Sequence, residues 1–180
     1  MKFSRVAPEF DATDRAILEL LQEDCKQALS AIGQKVGLKA PAVLERIHKF
    51  EEAGVVVGYV ALLDARRLGK DVTAFIGVTT EQAGVIAGLE RQVAALVDVL
   101  ECHHVTGAHT LMLKVKTVNT ETLEELIESI RSFDGVARTE TMVVLSTHTE
   151  RSRISLHDSG EFETGQTRRS SGQRRRRSGS

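Results

Sequence analysis

"KVGLKAPAVLERIHKFEEAGVV", residues 35–56, decides the architecture. Val43, Ile47 and Phe50 fall at i, i+4 and i+7, which lines up one apolar stripe along a helix and leaves the rest of its surface polar. Pro41 stands near the helix start, where its missing N–H costs nothing, and Gly54 supplies a left-handed stop after the last periodic residue. Immediately upstream, Gly37 turns the chain into this helix from a shorter one at about 29–36, with Leu29, Ile32 and Val36 inward. Gly33 lacks a side chain where two helices would cross closely. Further upstream Asp11 is placed to cap a first helix, with Asp14 at its third position and Ile17, Leu18 and Leu21 on one face, ending near Asp24. Three short helices with a tight turn between the last two make a helix-turn-helix unit, read here over residues 1–54.

Such a unit buries one stripe of its third helix. On a wheel of about 100° per residue, Ala42, Glu45, His48 and Lys49 point away from the stripe and Arg46 lies on its flank. Periodicity alone fits two readings of that face: an ordinary solvated surface, or a surface that enters the major groove of DNA.

After Gly54 the pattern becomes extended. Residues 55–70, with VVVGYVALLD and then Arg66, Arg67 and Gly69, read as a linker strand and turn. VTAFIGVTT follows as a strand, Val85 to about Leu96 as a helix, Val97–Thr106 as a strand, and His109–Lys116 as another strand after a turn at Gly107. Leu123, Leu126, Ile127 and Ile130 mark a helix capped by Asn119 or Thr120, and Val136–Thr147 is the final strand. The order βαββαβ over residues 71–156 is the ferredoxin-like plan, with helices on one face of an antiparallel sheet. Its other face needs cover, most simply from a second copy. The fold class is therefore α+β. Residues 157–180 have Phe162 as their only strongly hydrophobic side chain and include Arg174–Arg177, which predicts a disordered basic tail.

Composition allows one ordinary domain or two small ones, since 180 residues, 41% hydrophobic and 27% charged, suffice for either. The net charge of −1 hides a segregation: residues 71–156 hold 7 basic against 12 acidic side chains, whereas residues 157–180 hold 6 against 3. Any polyanion should meet the N-terminal part or the tail. The densest apolar run, Val55–Leu63, is broken by Gly58 and is far short of the roughly 20 residues of a membrane span. MKFSRVAPEF has no apolar signal core, and Cys25 and Cys102 lack metal-ligand spacing. A cytoplasmic protein with no membrane, metal or cofactor is expected. His103, His104, His109 and His148 all fall in the second module, but none has a ligand spacing with another donor.

The segments TDRAILELLQED, VGLKAPAVLERIHKFEEAGVVVGYVALLD, VTGAHTLMLKVKT and GVARTETMVVLSTHTE together resemble the Lrp/AsnC (leucine-responsive, feast/famine) transcriptional regulators over about Asp11–Leu156. The resemblance implies double-stranded DNA as a partner. It also implies a homodimer or higher oligomer built by the second module, and an amino acid or related metabolite as effector. Carried over by position, it implies that Lys39, Ala40, Ala42, Glu45, Arg46 and Lys49 form the DNA-reading face. Arg46 and Lys49 suit phosphate or guanine. Glu45 suits a cytosine amine, or a pair with Lys49 at i+4. The implied effector site is Thr106, Gly107, Ala108, His109 and Thr110 with Thr139 and Thr141 on the last strand.

Two departures from the family's pattern stand out. Lys39 occupies a position where many relatives have a capping serine, and TGAHT lacks an acidic residue at or near Thr110. The second of these predicts an effector preference shifted away from amines. A different function class on a similar two-domain plan is the sirohaem and haem d1 decarboxylases, which use histidine near a tetrapyrrole. The sequence offers no nucleophile triad, paired catalytic carboxylates or phosphate loop, so a regulator and not an enzyme is expected.

Overall fold

A computed structural model describes residues 9–81 and 83–156. The tail expectation at 157–180 lies outside the described residues.

Helix α1 (Ala12–Glu23) opens on a reciprocal cap, in which the Asp14 N–H donates to Asp11 Oδ1 at 2.6 Å and the Asp11 N–H donates to Asp14 Oδ2 at 3.1 Å. Two backbone donors that a helix start leaves orphaned are thereby satisfied. Helix α2 (Leu29–Val36) ends at Gly37, whose φ of 72° is the left-handed conformation that only glycine adopts without strain. Helix α3 (Ala40–Glu52) follows with Pro41 in its first turn, and no side-chain bond from Lys39 caps it. Ile17, Leu18, Ile32, Val43, Ile47 and Phe50 close one core, against which Phe10 packs edge-on to Phe50 at 5.9 Å. Gly33 is buried, but a Cβ there would collide with the Leu38 carbonyl oxygen. The close approach is thus to the turn rather than to a crossing helix.

The chain divides into two units, the first comprising the described residues up to Tyr59 together with 152–156, the second Val60–Arg151. The sequence reading gave 152–156 to the second module. Instead, the Gln22 amide donates to Ile154 O at 3.1 Å and accepts from the Ile154 N–H at 2.8 Å. Arg153 pairs with Glu23 at 3.0 Å, and Leu156 packs on the first core. An apolar residue near the end of a strand module finds its burial on α1.

In the second unit, β1 (Val72–Thr80), α4 (Ile86–Ala94), β2 (Val99–His104), β3 (Leu111–Thr117), α5 (Thr120–Arg131) and β4 (Val136–Val143) follow the expected order. A 3₁₀ turn, Arg66–Leu68, precedes β1. The sheet is antiparallel in the order β2-β3-β1-β4, with β4 on an edge. Ala74, Ile76 and Val78 of β1 and Leu111, Leu113 and Val115 of β3 meet Leu89, Val93, Leu123, Leu126 and Ile130 of the helices. Asn119 caps α5 by accepting from the Thr122 N–H at 2.9 Å.

Two expectations fail here. The last strand stops at Val143, not Thr147: residues 144–150 leave the edge and cross the helix-free face of the sheet. The Val144 N–H donates to Thr73 O at 2.9 Å, and Glu150 reaches Lys114 at 2.5 Å and Lys116 at 3.7 Å on β3. Residues 57–64 carry no strand, and among the described residues they pair with no strand edge. Their apolar side chains stay in the open, Val57 at 95% and Leu62 at 80% exposure.

Candidate functional site

The outward surface of α3 is the first candidate. Val43, Ile47 and Phe50 fix the inward stripe, so Lys39, Glu45, His48 and Lys49 are exposed while Ala40, Ala42 and Arg46 are half-buried. The Lys49 ammonium sits 2.9 Å from Glu45 Oε1, one turn earlier, and holds that carboxyl below the usual carboxylate range. Lys49 with Glu45 is therefore an i,i+4 pair on the protein's own surface. Leu44, which the wheel argument passed over, is exposed beside them and offers an apolar group of the kind that meets a thymine methyl. Tyr59 donates its hydroxyl to Glu51 Oε1 at 2.9 Å and thereby pins the start of the linker to α3. Desolvation, with the Glu51 carboxylate beside it, pushes that phenol up to about 12.

Arg46 is placed differently from its neighbours. Its Nη1 bonds Asp11 Oδ2 at 2.8 Å and also Asp14 Oδ1, both at the start of α1. Arg46 holds the Asp11 carboxyl below the usual range, and the two carboxylates raise the guanidinium in turn.

The second candidate was an effector site of seven residues, and the fold separates them. In register, Thr139 and Thr141 lie beside Val78 and Ile76, which point into the helical layer. Glu140 lies beside Gly77 and points the other way. The His109 ring lies over Gly77 on that helix-free face, so close that a Cβ on Gly77 would come within 2.6 Å of it. Its Nδ1 is buried without a partner, and its Nε2 is 3.7 Å from Glu140. Thr110 is occupied within the fold: its N–H donates to Val78 O and its hydroxyl oxygen accepts from the Thr80 N–H at 3.2 Å. Thr106 and Gly107 lie in the turn before β3, where Gly107 has a φ of 116°, and the Ala108 carbonyl accepts from Thr79 at 3.3 Å. The TGAHT turn and the Thr139/Thr141 pair therefore share no single cavity.

What Thr141 does line is a groove of about 350 Å³ between α5 and the edge strand β4, together with Thr120, Leu123, Glu124, Ile127, Glu128 and Arg131. Arg131 donates its Nε to Thr139 Oγ1 at 2.8 Å, which aims the guanidinium along the groove wall. Glu124, Glu128 and Arg131 were not among the residues expected from sequence. Their spacing of i, i+4 and i+7 along one flank of α5 was the available signal, legible only once β4 is known to be the neighbouring edge.

The helix-free face holds a third feature. Phe75 and Met142 lie side by side and exposed, bordered by Lys114 between Glu101 at 3.2 Å and Glu150. His103 leans on Glu101 at 3.1 Å, and His148 lies 3.4 Å from the Ser146 hydroxyl. Among the described residues no three His, Cys, Asp or Glu side chains converge as a metal site, and no helix is long and apolar enough to cross a membrane.

Comparison with known proteins follows this division. Residues 10–51 match the AsnC-type helix-turn-helix domain and residues 73–154 the Lrp/AsnC ligand binding domain. The HTH-type transcriptional regulator FL11 of Pyrococcus horikoshii is 34% identical over 146 residues, covering 81% of this chain and 96% of its own. This chain belongs to the Lrp/AsnC family. Among solved Lrp/AsnC structures, E. coli AsnC is 27% identical with a TM-score of 0.76, covering 81% of this chain and 99% of its own. A Neisseria meningitidis transcriptional regulator in complex with L-Met is 25% identical with a TM-score of 0.79, covering 82% and 97%. As a member of the Lrp/AsnC family, the chain is a DNA-binding transcriptional regulator with an N-terminal helix-turn-helix and a C-terminal ligand-binding domain.

Proposed function

We propose that this regulator docks α3 in the major groove of double-stranded DNA, with Lys39, Ala40, Ala42, Glu45 and Lys49, joined by Leu44, facing the bases and phosphates. The observation that carries this reading is the closure of the first unit's core under a surface that keeps Lys39 and Lys49 exposed at the two ends of one helix face. Cations at such a face supply most contacts to phosphate and guanine. Selection of duplexes from a random pool, followed by footprinting at several salt concentrations, tests it. Recovery of no preferred sequence would sink the specific-binding reading. The decarboxylase alternative has a separate signature, a tetrapyrrole absorbance in the purified protein. The relatives named as transcriptional regulators favour the non-enzymatic reading. A cytoplasmic location belongs to the same reading.

The effector reading moves to the α5/β4 groove. Glu124 and Glu128 suit an ammonium group and Arg131 a carboxylate, which is the charge pattern of a free amino acid. This reverses the preference read from Thr110, since the negative charge comes from the helix and not from the turn. The complex of the Neisseria regulator with L-Met lends support. Calorimetry against the common amino acids should find a binder, and Glu124→Gln should weaken it by about 10-fold or more, as expected for loss of a charge-assisted hydrogen bond. Equal binding by the variant removes the groove from consideration. A second copy covering Phe75 and Met142 completes the helix-free face and makes the regulator at least a homodimer.

A further inference from the structure

We infer that Arg46 positions the DNA-reading helix and does not itself read DNA; this rests on the docking reading above. The geometry divides the two carboxylates by oxygen atom. Asp11 uses Oδ1 to cap α1 and Oδ2 to hold Arg46; Asp14 uses Oδ2 to receive the Asp11 N–H and Oδ1 to hold Arg46. A single nitrogen, Nη1, meets both free oxygens. The start of α1 and the middle of α3 are thereby tied through one guanidinium, and the tie uses the acceptor atoms that the helix cap leaves over.

Electrostatics separates this role from direct contact. Arg46 is engaged by two carboxylates, whose negative charge disfavours a phosphate beside it, whereas among the described residues Lys39 has no carboxylate partner and Lys49 has a single one. A phosphate or guanine could reach only Nε and Nη2 of Arg46 without breaking an ion pair, and would then lie beside two carboxylates. The tie instead fixes the rotation and depth of α3 relative to the first helix. Lys49, one turn further on, depends on that setting.

The sign of one substitution decides between the roles. Asparagine caps a helix about as well as aspartate, so Asp11→Asn keeps the cap, removes one partner of Arg46 and deletes a negative charge near DNA. Binding of the full chain is measured to the duplex that the unaltered protein selects from a random pool. Asp11→Asn and Arg46→Ala are each expected to weaken it by about 3- to 10-fold, with the double variant no weaker than Arg46→Ala alone, as for residues acting through one interaction. The salt slope and the selected bases should stay as in the unaltered protein. Asp14→Asn, which also retains an acceptor for the Asp11 N–H, provides the same reading if Asp11→Asn fails to fold, and circular dichroism confirms folding in each case. Tighter or unchanged binding by the folded Asp→Asn variants overturns the inference. So does a salt slope reduced by about 0.9 in Arg46→Ala, the mark of one lost phosphate contact, or a base position relaxed in that variant alone. If the unaltered protein selects no duplex, the docking reading fails first and the positioning role falls with it.

Discussion

In the helix-turn-helix unit, three helices and the returning residues 152–156 surround one core. In the effector unit, Ile76 and Leu113 are buried on one side of the sheet while Phe75 and Met142 lie exposed on the other. The first unit closes its core within one chain, whereas the second leaves apolar side chains open on one face of its sheet. The same contrast separates the ways the units use charge. Arg46 and its two aspartates tie two helices of the first unit together at its surface, whereas Lys114, Glu101 and Glu150 rim an exposed apolar face.

The contrast breaks most visibly if the first unit can be unfolded alone. Phe50→Ala empties a buried aromatic site and should cost about 3–5 kcal/mol. Thermal unfolding is expected to show an early transition with loss of DNA binding, while self-association through the second unit persists. Loss of the oligomer in the same step would mean the units are not independent. Next in size, Phe75→Asp places a charge in the centre of the proposed copy-to-copy interface, where central anchors contribute about 2 kcal/mol or more. Sedimentation should then report a monomer at micromolar concentrations where the unaltered chain self-associates. An unaltered chain that is already monomeric would remove the incompleteness argument.

The smallest effect concerns residues 144–150. The Lys114 ammonium beside Glu150 holds that carboxyl below its ordinary value of 4.5. A carboxyl depressed on folding stabilises fully above its unfolded pKa and loses that contribution as pH falls through the lower, folded value. The crossing segment should therefore stay seated at neutral pH and loosen below about pH 4. Hydrogen exchange at the Val144 N–H measures this. Glu150→Gln should reproduce the loosening at neutral pH, by less than about 1 kcal/mol because the pair is partly exposed. Exchange that is insensitive to both changes would show that the Val144 bond to Thr73 is sufficient by itself.

The helix-turn-helix was legible because its determinants are local: Asp11 with Asp14, the Val43/Ile47/Phe50 stripe, and Gly37 and Gly54 at positive φ all lie within one or two turns of what they control. The order of elements in the second unit was legible for the same reason. What could not be read was anything set by non-local partners. Residues 57–64 find no pairing edge among the described residues, and where β4 ends depends on lysines of β3 some 30 residues away. Which residues of the last strand meet α5 was not legible, because period-2 alternation puts Glu140 and Thr141 on opposite faces and only the sheet order shows which of them faces the helix. For Arg46 the helix wheel shows a flank and the family resemblance a DNA-facing position, but neither shows the aspartates beside it.

The return of residues 152–156 to α1 makes the effector unit an insertion within the DNA-binding unit, entered at Val60 and left at Arg151. A protease that cuts among the exposed apolar residues 57–64 would therefore nick the chain without freeing its halves. The Gln22–Ile154 pair of hydrogen bonds, the Arg153–Glu23 ion pair and the burial of Leu156 would still hold the N-terminal fragment to the remainder. The practical unit for grafting a different effector specificity is correspondingly a cassette, residues 60–151, with both of its seams on the same recipient.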